Sequence, residues 1–143
     1  MTIAVQPKVY VVDDDQGMLD STVWLRESVG LSALAFTSGQ AFLQACDARL
    51  NACVILDVRM PSMGGLHVQQ ALIERGINLP VIFVSGHADV PIVVRAFKAG
   101  AHDFIEKPYN QQLLLDSVQQ ALSASVAQRV TSQALRDVQE RLD

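Results

Sequence analysis

The stretch CVILDVRMPSMGG, Cys53–Gly65, decides the fold. It opens on Cys53–Leu56, an apolar run with no polar alternation, as expected of a strand buried on both faces in a helix-covered parallel sheet. The run stops at a carboxylate, Asp57, and passes Pro61, Gly64 and Gly65 before the helical pattern Leu66–Ile73 begins. Both glycines are expected to supply positive φ. The same unit recurs outward in both directions. Val9–Val12, Ala33–Phe36, Val81–Val84 and Phe104–Ile105 read as strands, and Met18–Val29, Ala41–Cys46 and Val90–Ala99 as amphipathic helices. Thr37 with Gln40 three residues on suggests a capping box, and Asp89 before Val90 and Pro91 suggests an N-cap followed by a first-turn proline. Gly30, Gly76 and Gly100 punctuate helix ends. Strict alternation implies an α/β, doubly wound (βα)₅ fold with a five-stranded parallel sheet and helices on both faces.

Composition narrows the function classes. The chain has 143 residues, half of them hydrophobic, and a net charge of −4. That is enough for one core without metal or disulfide staples, and an acidic balance argues against direct grip on nucleic acid. No apolar run approaches a membrane span, and Met1–Gln6 lacks the layout of a signal peptide, so a cytoplasmic protein with no membrane partner is expected. Cys46 and Cys53 lie in apolar runs without ligand spacing and read as packing thiols.

The chemistry stands where the strands stop. Asp13, Asp14 and Asp15 follow the first, Asp57 the third, Ser85 the fourth and Lys107 the fifth. In an open parallel sheet, ligands bind outside the carboxyl ends of the strands. Each residue alone has a plainer reading: Asp15 as a helix cap, Ser85–Gly86 as a turn, Lys107 as surface charge, Phe104 as core. Together they supply an oxygen nucleophile, hard oxygen ligands for Mg²⁺ and a fixed positive charge, the parts phosphoryl transfer needs.

VVDDD (Val11–Asp15), LDVRMPSMGG (Leu56–Gly65), VSGHAD (Val84–Asp89) and KAGAHDFIEKP (Lys98–Pro108) resemble the receiver domains of two-component response regulators, most closely the FixJ-like branch. The resemblance runs from about Lys8 to Leu122. It implies the flavodoxin-like strand order 2-1-3-4-5 and a receiver domain over residues 7–122. It also implies that Asp57 is the phospho-acceptor, with Mg²⁺ (or Mn²⁺) held by Asp14, Asp57 and the Arg59 backbone carbonyl, and by Asp13 through water. Ser85 then occupies the switch hydroxyl position and Phe104 the switch aromatic. Lys107 pairs with the phosphoryl group, and Pro108 looks like the family's cis-proline. Arg59 and His87 hold the positions that tune hydrolysis. Ser85 stands where threonine is commoner, and Tyr109 where phenylalanine is frequent. Implied partners are a sensor histidine kinase and a second copy, joined through the face of the fourth helix and fifth strand. DNA would be bound only through a separate C-terminal domain of a transcription regulator.

Rival readings fit less well. A stand-alone phosphorelay receiver would share the site. A haloacid-dehalogenase-like phosphatase would place its nucleophile at Asp13, with Asp15 beside it, but Asp57 would then have no task, and no strand follows Lys107 to present further acidic ligands. A flavin-binding module would need a phosphate loop where three carboxylates stand. From Asn110 the pattern is one helical stretch. Leu115, Val118 and Leu122 are expected to pack on the sheet. Residues 123–143 are expected to form a helical linker, frayed or paired as a coiled coil with a second copy.

Overall fold

The computed structural model describes residues 7–47 and 51–125. Five parallel strands run β1 (Lys8–Val12), β2 (Ser32–Phe36), β3 (Ala52–Asp57), β4 (Val81–Ser85) and β5 (Asp103–Glu106), in the order β2-β1-β3-β4-β5. Between them lie α1 (Gln16–Ser28), α2 (Gly39–Ala45), α3 (Gly65–Glu74) and α4 (Val90–Lys98). A fifth helix, α5, occupies 111–125 up to the limit of the described residues. Of the expected linker over residues 123–143, residues 123–125 continue α5, and the remainder, with its coiled-coil alternative, lies outside them.

The apolar strands acquire their meaning from two cores. On β1, β3 and β4, residues of one parity (Val9, Val11, Cys53, Ile55, Ile82, Val84) pack with Met18 and Leu25 of α1 and with Leu114, Val118 and Leu122 of α5. Their neighbours (Tyr10, Val12, Val54, Leu56, Val81, Phe83) pack with α2, α3 and α4 through Phe42, Val68, Leu72 and Ala96. Both faces of the central strands are therefore covered, and no position along them tolerates a polar residue until the strand ends.

The helix termini bear out some of the expected caps and correct others. Asp89 caps α4 as expected, its carboxylate accepting from Ile92 N at 2.9 Å, with proline in the first turn. Asp15 caps α1, which therefore starts at Gln16, two residues before the apolar pattern. The Thr37–Gln40 capping box does not form. Ser38 is the N-cap of α2 and accepts from Ala41 N at 3.2 Å, because α2 begins at Gly39 and the cap is the residue flanking the first helical position. Gly30, Gly76 and Gly100 have positive φ as helix-ending residues, but Gly64 and Gly65 do not.

What Gly65 provides is room. A Cβ at that position would lie 2.4 Å from the backbone oxygen of Asp57, so only glycine lets α3 begin this close to the end of β3. The left-handed residue of the loop is Ser62, φ +70°, over which Met63 N donates to the Pro61 carbonyl at 2.7 Å in a strained γ-turn. Gly65→Ala is expected to lower stability by about 1–3 kcal/mol, the usual cost of overpacking a filled site, and to displace Asp57. Urea unfolding midpoints with unchanged slope, together with a shifted Asp57 amide resonance, would check this.

Candidate functional site

Parallel strands that all end at one edge place their terminal residues side by side. Carboxylate oxygens of Asp13, Asp14 and Asp57 lie within 4.8 Å of one another, with Asp13 and Asp57 buried and Asp14 exposed. Lys107 enters from the end of β5 and sets its Nζ 2.8 Å from Asp13 Oδ2 and 3.8 Å from Asp15 Oδ2. The other Asp13 oxygen accepts from Asp15 N at 2.9 Å. Both Asp13 oxygens are thus engaged within the protein. Asp57 accepts a weaker bond from Arg59 N at 3.3 Å.

Burial and charge act unequally on the group. Desolvation pushes the Asp57 carboxyl up to about 7, with the hydrogen bond and charge of Asp13 adding to it, while Lys107 and the Arg59 amide oppose the shift. For Lys107, burial works against the ammonium, yet the bond and charge of Asp13, helped by Asp57 and Asp15, outweigh it and the net shift is upward. The lysine is therefore fully charged and still insufficient. One ammonium faces several carboxylates, which leaves a deficit that a hard divalent cation would fill. The donor set, all oxygen with one open carboxylate at the surface, fits Mg²⁺.

The remaining expected residues surround this centre without all joining it. Ser85 is buried; its Oγ accepts from His87 N at 3.1 Å, and its carbonyl accepts from Lys107 N at 2.8 Å, tying the serine and lysine strand ends together. Arg59 and His87 are exposed at the rim. Phe104 is half-buried against the second core, its ring 6.0 Å from that of Phe83. The Lys107–Pro108 peptide is cis. The two thiols are passive: burial pushes Cys53 up to about 12, and burial with the charge of Asp47 pushes Cys46 up to about 11 against the pull of Arg75. Sequence reasoning gave Tyr109 and Ser21 no part near the site, yet their hydroxyls meet at 3.2 Å beside it. They stand 88 positions apart and no local pattern links them.

A doubly wound sheet carrying a cation-compatible acidic cleft at its carboxyl edge, with a lysine and a serine at adjoining strand ends, defines a small class of phosphate-handling α/β domains. Within that class the chain belongs to the response regulator receiver domain family, whose profile matches residues 9–119. It is 41% identical over 135 residues to the response regulator protein TodT of Pseudomonas putida, covering 94% of this chain and 60% of that protein. It is 39% identical over 134 residues to the transcriptional regulatory protein FixJ of Azorhizobium caulinodans, covering 94% of this chain and 64% of that one. The crystal structure of FixJ-N superposes with a TM-score of 0.75 at 34% identity, covering 83% of this chain and 95% of that one. The chain thus spans about three-fifths of the length of these curated relatives. Receivers are signalling modules partnered with sensor histidine kinases and are not a family of catalytic enzymes. The dehalogenase-like and flavin readings fall with that assignment. Among the described residues, no helix is long and apolar enough to cross a membrane.

A carboxyl whose pKa is raised by folding stabilises the native state below its unfolded value and loses that contribution as pH rises through the folded value. In chelator, the protein is therefore expected to lose on the order of 4 kcal/mol between about pH 4 and about pH 7 through Asp57. Asp57→Asn should flatten the profile, and Mg²⁺ should restore stability to the wild type at the alkaline end. Denaturant melts across pH, with and without Mg²⁺, measure all three.

Proposed function

We propose that this chain is a phosphorylation-dependent receiver that takes a phosphoryl group onto Asp57 and relays the event to a transcriptional output. The observation that carries the reading is the buried Asp57 carboxylate, set within 4.8 Å of Asp13 and Asp14 oxygens while Lys107 neutralises Asp13 at 2.8 Å. Mg²⁺ would be held by Asp14, Asp57 and the Arg59 carbonyl, and by Asp13 through water; Mn²⁺ could substitute. When bound it would offset the carboxylate charge and that of the incoming phosphoryl group. An Asp57 oxygen attacks phosphorus, the bond from phosphorus to the donor breaks, and the donor leaves with the electron pair. The donor would be a phospho-histidine of a sensor kinase or a small acyl phosphate. Lys107 then pairs with a phosphoryl oxygen. Arg59 and His87, exposed on either side, would govern the approach of hydrolytic water.

The signal would leave through β4 and α4. Ser85 Oγ accepts from His87 N, so its own proton is available to a phosphoryl oxygen. Such a charge-assisted bond, worth about 1.5–3 kcal/mol, biases a two-state equilibrium by roughly 10- to 150-fold. Drawing the loop after β4 inward would let Phe104 turn in and reshape the α4–β5 face. That face carries an apolar stripe at helical spacing, Val90, Val94 and Phe97, all exposed, whereas α4 fully buries Ala96 alone. The stripe supports pairing with a second copy. The likeness to FixJ, a transcriptional regulatory protein, supports an output of DNA binding through a further domain, in the cytoplasm.

Labelling by acetyl phosphate is expected to require Mg²⁺ or Mn²⁺, to cease in chelator, and to be lost in Asp57→Asn while only slowed in Asp13→Asn. Labelling that survives in Asp57→Asn and is lost in Asp13→Asn would contradict the assignment. Ser85→Ala should still accept phosphate yet lose phosphorylation-dependent dimerisation in sedimentation velocity; dimerisation equal to wild type would refute the switch.

A further inference from the structure

Lys107 is held by more than its ion pair. The chain runs directly from Lys107 through Pro108 to Tyr109, whose half-buried ring packs against the first core and whose hydroxyl lies 3.2 Å from Ser21 Oγ on α1. Ser21 Oγ donates to the Gly17 carbonyl at 3.3 Å, and Gly17 N donates to Asp15 Oδ1 at 3.2 Å. Asp15 N donates to Asp13 Oδ1 at 2.9 Å, and Asp13 Oδ2 receives Lys107 Nζ at 2.8 Å. The sequence of links closes on itself. It encircles a cleft of about 260 Å³ lined by Asp15, Gly17, Ser21, Lys107 and Tyr109, among others.

The protons available limit how the ring can be wired. Each hydroxyl has one proton to donate. With the Ser21 proton on the Gly17 carbonyl, the Tyr109 proton lies on Ser21, and both oxygen–oxygen links are satisfied together. The Met18 sulfur, toward which the Tyr109 hydroxyl also donates, shares that proton as a weak second acceptor. A phenylalanine would fill the same space in the core but would leave the loop after β5 untied from α1.

We propose that Tyr109 and Ser21 form a positioning pair that fixes the Lys107 loop against α1 and so sets the place of the ammonium at the acceptor site. This rests on the phospho-acceptor reading above. On its amino side the lysine is anchored by its own amide on the Ser85 carbonyl at 2.8 Å, so the tyrosine supplies the anchor on the other side. Four rotatable bonds separate the Lys107 backbone from Nζ, and a backbone free at one end would spread the ammonium over several positions. The pair touches neither nucleophile nor phosphoryl group; it acts through Lys107.

The test is a double-mutant cycle on the chain, with acetyl phosphate and Mg²⁺ as the probe. Tyr109→Phe is expected to slow labelling of Asp57 by about two- to tenfold, the range that loss of one net hydrogen bond gives. Ser21→Ala should match it, and the two together should be no slower than either. In the K107A background the Tyr109→Phe effect should vanish, because there is no ammonium left to place. An equal factor in both backgrounds, or none in either, would overturn the proposal. If labelling in K107A is too slow to follow, the Lys107 Nζ resonance, assigned by its loss in that variant, decides instead. It should shift in both Y109F and S21A, and an unmoved resonance overturns the pair's role. A wild type that takes no label at all would instead defeat the phospho-acceptor reading, while the resonance would still report on the ring.

Discussion

The contact between Lys107 and Asp13 governs the rest of the structure. A single ammonium, 2.8 Å from one buried carboxylate, is the described positive charge in direct contact with the acidic cluster. Asp13 is satisfied by that contact and by the Asp15 amide, whereas at Asp57 burial and a like-charged neighbour outweigh the Lys107 charge and the Arg59 amide. A buried charge without full compensation is costly, and Asp57 answers that cost by holding its proton to higher pH. The fold supplies the geometry for the deficit: three strand ends at one edge of the sheet, α3 brought against the Asp57 carbonyl at Gly65, and the loop after β5 folded back on α1.

The same arrangement separates a stiff half of the molecule from a more adaptable one. The strands β1, β3 and β4 are filled on both faces, which makes the carboxyl edge a rigid platform. The helix α4 is attached more sparsely. It fully buries Ala96, whose carbonyl takes the Gln69 side-chain amide at 3.1 Å, and exposes an apolar stripe toward solvent. Ser85 and His87 sit between the two, at the end of β4 and just before the Asp89 cap of α4. A change in charge at Asp57 therefore meets a firm base on one side and a helix with few constraints on the other, as a two-state output requires.

Much of this was legible in the chain because parallel strands write themselves plainly. Val81–Val84 and Cys53–Leu56 are apolar throughout, so the residues that end them, Ser85 and Asp57, stand out as chemistry. The motifs that resemble receivers then assigned roles to Asp13, Asp14, Lys107 and Phe104. Local backbone detail was less visible. Thr37 and Ser38 are equally good caps by type, and the start of α2 at Gly39 chose Ser38. Gly64 and Gly65 looked like left-handed turn residues, but the turn uses Ser62, and Gly65 is required because the Asp57 carbonyl at the end of β3 lies where its Cβ would be. The Tyr109–Ser21 contact had no signature at all, since two hydroxyls 88 positions apart share nothing until the fold joins them.

The central claim is that the carboxylate at the end of β3 is the one that carries the phosphoryl group. The most direct measurement exposes the protein to acetyl phosphate and Mg²⁺, traps the acyl phosphate by borohydride reduction, and locates the resulting homoserine by tandem mass spectrometry. The account predicts homoserine at position 57 alone, formed only when the divalent cation is present. Modification at Asp13 or Asp15, or none anywhere while the folded protein binds Mg²⁺, would contradict it.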